Sequence, residues 1–344
     1  MTSRPTIFDV AREAGVSKST VSKVLTNAPY IRAETRKRVE AAVALLNYHP
    51  NVAARRFQSR QSRLVGLVLP NVGEPSTPPA FFTAFMRGAG KAAADHHYDL
   101  IWLVSISRRV GAAEDYAQTY LRREVDGMVL TNVPLGDPRV AALKQTGCPF
   151  VVVGRYDDPD VHTVDVDNLA IGYLATQHLL RLGHRRIALL NGRPHHPFCQ
   201  DRLAGYARAL TEYGLALDDS LVSWLSFREQ DGYDATLHLL HGESPPTALI
   251  VTDAGLREGC RRALEELRVH APLQVSVVGV DDFPPVSGRP IATAVVQPTA
   301  ELGIAAVELV LQLIAGHPVS IRQQVLAPTL VKGHSSAPPW PSTG

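Results

Sequence analysis

Short, unbroken apolar runs alternate with helix-length stretches through most of this 344-residue sequence, and that alternation limits the folds open to it. Runs at 64–69, 100–104, 127–130 and 150–153 form one series, separated by helical stretches such as 80–95 and 114–123. A second series lies at 187–190, 221–225, 248–251 and 275–280, with helices expected around 169–182, 202–213, 232–240 and 256–267. A strand that is apolar at every position has no solvent side, so it belongs in a parallel sheet covered by helices on both faces. Two such series predict two Rossmann-like α/β lobes with a cleft between them.

The first 63 residues are different. They carry 12 Lys+Arg against 4 Asp+Glu, whereas the remaining 281 carry 23 against 29. A basic head on an acidic body points to an anionic polymer as the head's partner, with a merely solvated basic terminus as the plain alternative. Thr6 and Asp9 have the spacing of a capping box, so a short helix is expected through Ala14. Gly15-Val16 ends it, and Ser17 is placed to cap a second helix through Leu25. Val10, Ala11, Ala14, Val16, Val21 and Val24 would meet between the two. A third helix is expected over 33–47, with Val39, Ala42, Val43 and Leu46 inward and Arg36, Lys37 and Arg38 outward.

Two short helices joined at a glycine turn, with a third in support, describe an all-α helix-turn-helix head. Its second helix would enter the major groove, presenting Lys18, Ser19, Ser22 and Lys23. Lysine donates to guanine O6 and N7, and hydroxyls serve bases or phosphates. For Ser17 and Thr20 the competing reading is a helix cap or a surface hydroxyl.

The run Thr6-Ile7-Phe8-Asp9-Val10-Ala11, then Gly15 through Ser22, Glu34-Thr35-Arg36, Asn47-Tyr48-His49-Pro50-Asn51 and Ala54-Arg55 resembles the lactose-repressor (LacI/GalR) family. The resemblance extends through Val164–Asn168, Leu182–Ala188, Arg202–Tyr206, Val275–Asp282 and Gln297-Pro298, covering residues 5–334. It implies a periplasmic-binding-protein-like effector domain behind the head. It also implies DNA contacts from Thr6, Ser17, Lys18, Ser19, Thr20, Ser22 and Lys23. Between head and body it implies a hinge helix that orders on DNA, with contacts from Asn51, Ala54 and Arg55. Phe57 stands where relatives place an apolar wedge, usually Leu, in the minor groove. Without the resemblance the same segment reads as a basic linker.

The expected division is a head at 1–49, a hinge at 50–63, a two-lobed body at 64–334 and a frayed tail at 335–344. By resemblance the chain crosses between lobes near Asp165, Thr293 and Arg322. Lobe 1 is then 64–164 and 293–321, and lobe 2 is 165–292 and 322–334.

Ligands of doubly wound sheets bind beyond the carboxyl ends of the strands. Arg202 opens a helix after such a strand, and Asp253 and Asp281 each end one. Arg202 and Asp281 match the family's ligand-holding Arg and Asp, and Phe227 falls where relatives stack an aromatic on the effector. Phe81 would face it from the first lobe, although Phe81 or Phe82 as plain core packing is equally open. Arg155 either contacts the ligand or braces the cleft.

Other classes leave little trace. There is no glycine-rich phosphate loop, no Gly-x-Ser-x-Gly elbow and no nucleophile–base spacing, so an enzyme is not expected. His195-His196 and Cys199 do not make a zinc pattern, so neither a metal nor a cofactor is expected. Three scattered cysteines, no apolar leader and no membrane-length apolar run point to a reducing cytoplasm. The reading is a DNA-binding repressor of a pseudo-palindromic operator, a homodimer or else a tetramer, controlled by a small molecule, foremost a sugar. A nucleobase-type corepressor and a sugar-binding transport protein are the alternatives.

Overall fold

The computed structural model describes residues 5–25, 28–48, 61–68, 79–103, 112–281, 292–319 and 322–339. The chain divides between Ser62 and Arg63 into two units.

The first unit is three helices around a small core. Thr6 caps α1 (Ile7–Ala14) in a reciprocal box: its side chain accepts from the Asp9 amide, and its own amide donates to Asp9 Oδ2 at 2.9 Å. Gly15, at φ 60°, closes α1 in the left-handed conformation that glycine adopts without steric cost. Helix α2 (Lys18–Leu25) follows, then α3 (Ala33–Leu45). Val10, Ala11, Ala14, Val21, Val24, Val39, Ala42 and Tyr48 form the buried core, with Val16, Val43 and Leu46 packed on it. Two arginines expected to point outward fold back instead. Arg36 Nη2 donates to Ala28 O at 2.9 Å, and Arg38 Nε donates to Ala14 O at 3.1 Å. The orphan carbonyls at the end of α1 account for the second contact.

The second unit holds two sheets. The first takes β1 (Leu64–Val68), β2 (Asp99–Leu103), β3 (Gly127–Leu130), β4 (Phe150–Val153), β5 (Thr163–Val166) and β11 (Gln323–Leu326) in the order β11-β5-β4-β3-β1-β2. Its strand pairs are all parallel. The second takes β6 (Ile187–Gly192), β7 (Val222–Leu225), β8 (Ala248–Val251), β9 (Ser276–Val280), β10 (Thr293–Val296) and β12 (Thr329–Val331) in the order β12-β10-β9-β8-β6-β7. Only β12 runs antiparallel there. The inner strands β3, β6 and β8 are buried along their whole length, as unbroken apolar runs require.

Helices α4 (Pro79–Asp95), α5 (Ala112–Leu121), α6 (Pro138–Thr146) and α11 (Thr299–Ile314) belong to the first lobe. Helices α7 (Asn168–Arg181), α8 (Pro197–Glu212), α9 (Glu229–His241) and α10 (Ala254–Glu266) belong to the second. Neither α6 nor α11 was among the expected helices. Helix α11 is buried on most of its circumference, so it lacks the amphipathic stripe that marks a surface helix.

The crossovers correct the expected boundaries. Strands β5, β10 and β11 each finish pairing in one sheet before the chain leaves, so it crosses at Asp167, at Gln297-Pro298 and at Ala327-Pro328. Thus 293–296 belongs to lobe 2 and 323–326 to lobe 1, the reverse of the expectation. The tail is also corrected at its start. Ser335 O accepts from the Val277 amide at 2.7 Å, Ser336 Oγ bonds His178 Nε2 at 2.8 Å, and Ala337 O lies 2.9 Å from His184 Nε2. Backbone and hydroxyl groups of 335–337 therefore find partners on lobe 2 rather than fraying. Among the described residues, no helix is long and apolar enough to cross a membrane.

Candidate functional site

In the head, Lys18, Ser19 and Lys23 are exposed on α2, and Ser22 is half-buried. Ser17 Oγ accepts from the Thr20 amide at 3.2 Å and shares hydrogens with Ser19 Oγ at 2.8 Å and Thr20 Oγ1 at 2.9 Å. Ser17 and Thr20 thus serve the start of α2, and Thr6 serves the start of α1. Two aromatic residues that sequence reasoning passed over stand beside the lysines. Lys18 Nζ is 4.9 Å from the Phe8 ring centre and Lys23 Nζ is 5.4 Å from that of Tyr30. Both rings are largely exposed, at 64% and 70%. An exposed aromatic in a basic segment was the available signal. Asn51, Ala54, Arg55 and Phe57 lie outside the described residues, as does most of the expected hinge.

In the body, one cavity opens between the carboxyl ends of the two sheets. Phe81, Arg155, Arg202, Phe227, Asp253 and Asp281 all line it, brought there from two lobes and six separate segments. Arg202 projects from α8 and is 6% exposed. Its Nε donates to Asn168 Oδ1 at 3.0 Å, its Nη1 donates to Thr252 O at 2.9 Å, and its guanidinium lies 5.1 Å over the Phe198 ring. Asn168 in turn donates to Asp165 Oδ1 at 3.3 Å, on the other side of the first crossover.

Asp281 sits at φ 55° immediately after β9, a conformation that aspartate tolerates better than most residues. Its Oδ1 accepts from the Gln297 amide at 3.0 Å and its Oδ2 from the Gln297 side chain, at the second crossover. Asp253 caps α10, accepting from the amides of Gly255 at 2.7 Å and Leu256 at 3.3 Å. Burial holds the carboxyls of Asp253 and Asp281 above the ordinary range and pushes Asp165 up to about 6. Arg155 Nε lies 3.4 Å from Asp201 Oδ2.

Aromatic walls face these polar groups. Phe227 stacks on Phe198 with centroids 6.1 Å apart, and Phe81 stacks on Phe85 at 6.1 Å while still reaching the cavity. Phe82 meets Phe81 edge-on and does not line the cavity. The histidine loop belongs to the same wall. His196 stacks on Phe198 at 5.2 Å, and burial pushes its imidazole down to about 4, so it acts as a neutral ring. Asn168, Gln297, Phe198 and Asn132 line the cavity too; the first two stand in motifs that carry the resemblance, but none is expected as a ligand residue, because their places depend on crossovers and loops that periodicity does not reveal. Aromatic faces with a few convergent charged groups form a pocket for a small polar molecule that also presents apolar faces.

Comparison with known proteins agrees with both units. Residues 6–51 match the model of bacterial regulatory proteins of the lacI family, and residues 176–336 match a periplasmic binding protein-like domain. The HTH-type transcriptional regulator MalR of Streptococcus pneumoniae is 33% identical over 310 residues, 90% of this chain and 92% of MalR. GalR of Escherichia coli is 31% identical over 338 residues, 97% of this chain and 96% of GalR. The lac repressor dimer bound to operator and the anti-inducer ONPF superposes with a TM-score of 0.84 at 27% identity, covering 97% of this chain and 100% of that one. A complex of the transcriptional regulator CelR with cellobiose gives a TM-score of 0.73 at 30% identity, with 96% of this chain and 100% of that chain covered. With head and body both matched and regulators aligned along nearly its whole length at such identities, the chain belongs to the lacI family of bacterial regulatory proteins.

Proposed function

We propose that this protein represses transcription by holding a pseudo-palindromic operator with the helix-turn-helix heads of a dimer, and that a sugar in the cleft controls its grip. The observation that carries the reading is the pairing of a lacI-family head with a cleft in which Arg202, Asp253 and Asp281 converge between aromatic walls. Hydroxyls of a sugar satisfy carboxylates and guanidinium together, while its apolar faces suit Phe198, Phe227 and Phe81. The CelR–cellobiose complex and the operator-bound lac repressor dimer support the ligand class and the assembly by relationship.

On DNA, Lys18, Ser19, Ser22 and Lys23 face the major groove, and Thr6, Ser17 and Thr20 pair their capping duties with backbone contacts. Asn51, Ala54, Arg55 and Phe57 take the minor groove between the half-sites. Two heads on one dimer explain a two-fold operator.

The test is a mobility-shift titration with the upstream DNA of the protein's own gene, repeated with a panel of sugars, nucleosides and organic acids. A sugar is expected to change operator affinity, and Asp281→Ala is expected to remove that response while DNA binding persists. Response to a nucleoside alone would replace the sugar reading with a corepressor one. Absence of any sequence-selective shift would overturn the DNA reading.

A further inference from the structure

We propose that the cavity takes an uncharged, hydroxyl-rich ligand, and that Asp201 enforces this by holding the guanidinium of Arg155 across the cleft. The inference rests on the sugar reading above and narrows it to sugars without phosphate or carboxylate.

Five ionisable side chains line the cavity: Arg155 and Arg202 against Asp165, Asp253 and Asp281. Both cations are engaged by the protein. Arg202 is committed to Asn168, to Thr252 O and to the Phe198 face. Arg155 Nε is 3.4 Å from Asp201 Oδ2 and 3.9 Å from Asp157 Oδ1. Arg155 follows β4 in the first lobe, whereas Asp201 is on α8 in the second, so their pair spans the cleft. The Nε edge of the Arg155 guanidinium is therefore already shared with protein carboxylates, which weakens its pull on a phosphate or carboxylate. Asp201 itself does not line the cavity.

Counting Asp201 and Asp157 beside Arg155, and Arg257 beside Asp281, five carboxylates stand against three guanidiniums. An anionic ligand would add charge of the majority sign to a partly dehydrated site, where like charges repel more strongly than in water. Burial already holds Asp165, Asp201, Asp253 and Asp281 above the ordinary carboxyl range. A hydroxyl incurs no such repulsion, because it donates to a carboxylate and accepts from a guanidinium.

The test uses calorimetry on matched pairs: glucose and glucose 6-phosphate, maltose and maltose 6′-phosphate, cellobiose and cellobiose 6′-phosphate. Each is titrated into the full-length wild type, Asp201→Asn and the double variant Arg155→Gln/Asp201→Asn. In the wild type the neutral member of the binding pair is expected to be tighter than its phosphate by about tenfold or more. Asp201→Asn keeps the shape and releases Arg155, so the gap should narrow about fivefold. In the double variant the gap should widen again, an effect that a merely structural role for Asp201 does not produce.

A phosphate that binds the wild type as tightly as its neutral partner overturns the proposal and leaves the sugar reading standing. So does an unchanged gap in a folded Asp201→Asn protein. If Asp201→Asn melts early, Asp201→Ser takes its place, with the same narrowing expected and an unchanged gap again overturning the proposal. A sugar outside these pairs that shifts operator affinity is compared with its own phosphate in the same way; if no sugar of the panel binds, the sugar reading itself falls and this inference falls with it.

Discussion

Asp165 shows how one residue makes the cleft sensitive to pH. Its Oδ1 accepts from the Val166 amide at 2.7 Å and from Asn168 at 3.3 Å, yet burial outweighs these bonds and pushes the carboxyl up to about 6. A group whose folded value lies above its unfolded value binds more protons in the folded state. Its stabilising contribution is therefore complete below the unfolded value near 4 and is lost as pH rises through about 6. Asp165→Asn keeps an acceptor at the same place without the charge. The variant should be more stable than wild type by about 1 kcal/mol at pH 8, and the gain should vanish by about pH 4. Urea melts at the two pH values check this, and an equal gain at both would show that charge is not the cause. The same residue marks the limit of what the sequence discloses. Arg202 and Asp281 are legible because each stands in a recognisable motif, and Asp253 because it follows an apolar strand. Asp165 lies in such a motif too, but its raised carboxyl comes from burial and from Asp201, opposed by Arg202; both residues belong to the second lobe and meet it only after the chain has crossed the cleft.

Helix pairs bring those strand ends into register. Helices α7 and α8 touch backbone to backbone through a reciprocal pair of glycines. A Cβ at Gly172 would fall 1.9 Å from Arg202 O, and one at Gly205 would fall 2.0 Å from Leu169 O. This closeness sets where Arg202 emerges into the cavity. Gly172→Ala must push α8 away, at a cost of about 1–3 kcal/mol typical of overpacking. Effector affinity should fall with stability, because the Arg202 bonds to Asn168 and Thr252 depend on that position. An alanine variant with unchanged melting and unchanged binding would show that α8 is free to shift. Amphipathic helices and buried strands were legible here within a few residues. The start of α8 was not, since Pro197 begins it five residues before the Arg202 from which it was expected. Proline suits a first helical turn, but a histidine-rich loop hides that signal. The lobe boundaries were misread for a related reason. A crossing strand carries the same apolar pattern whichever sheet it joins, and only pairing such as Thr293 with Val278 decides the matter.

At the scale of the molecule, two ligands share one chain. In the proposed reading operator DNA is held by the head and the effector by the cleft, and the three crossovers at 167, 297–298 and 327–328 are the connections about which the two lobes would move. A sugar that bound every lobe arrangement equally well would shift nothing, so control requires that it prefer one arrangement. The preference then works in both directions. If the effector weakens operator binding by some factor, saturating operator must weaken effector binding by that same factor, because both are legs of one thermodynamic cycle. For this protein the factor is expected to lie in the range of about 5–150, or about 1–3 kcal/mol. Measuring it needs two titrations on the full-length protein: operator affinity with and without effector, and effector affinity with and without operator. A factor above one that is the same in both directions and independent of protein concentration would show that head and cleft are coupled within one dimer. Unequal factors at equilibrium would mean that the effector acts through another state, such as dissociation of the dimer, and repeating both titrations across protein concentration would separate that state from coupling within one dimer.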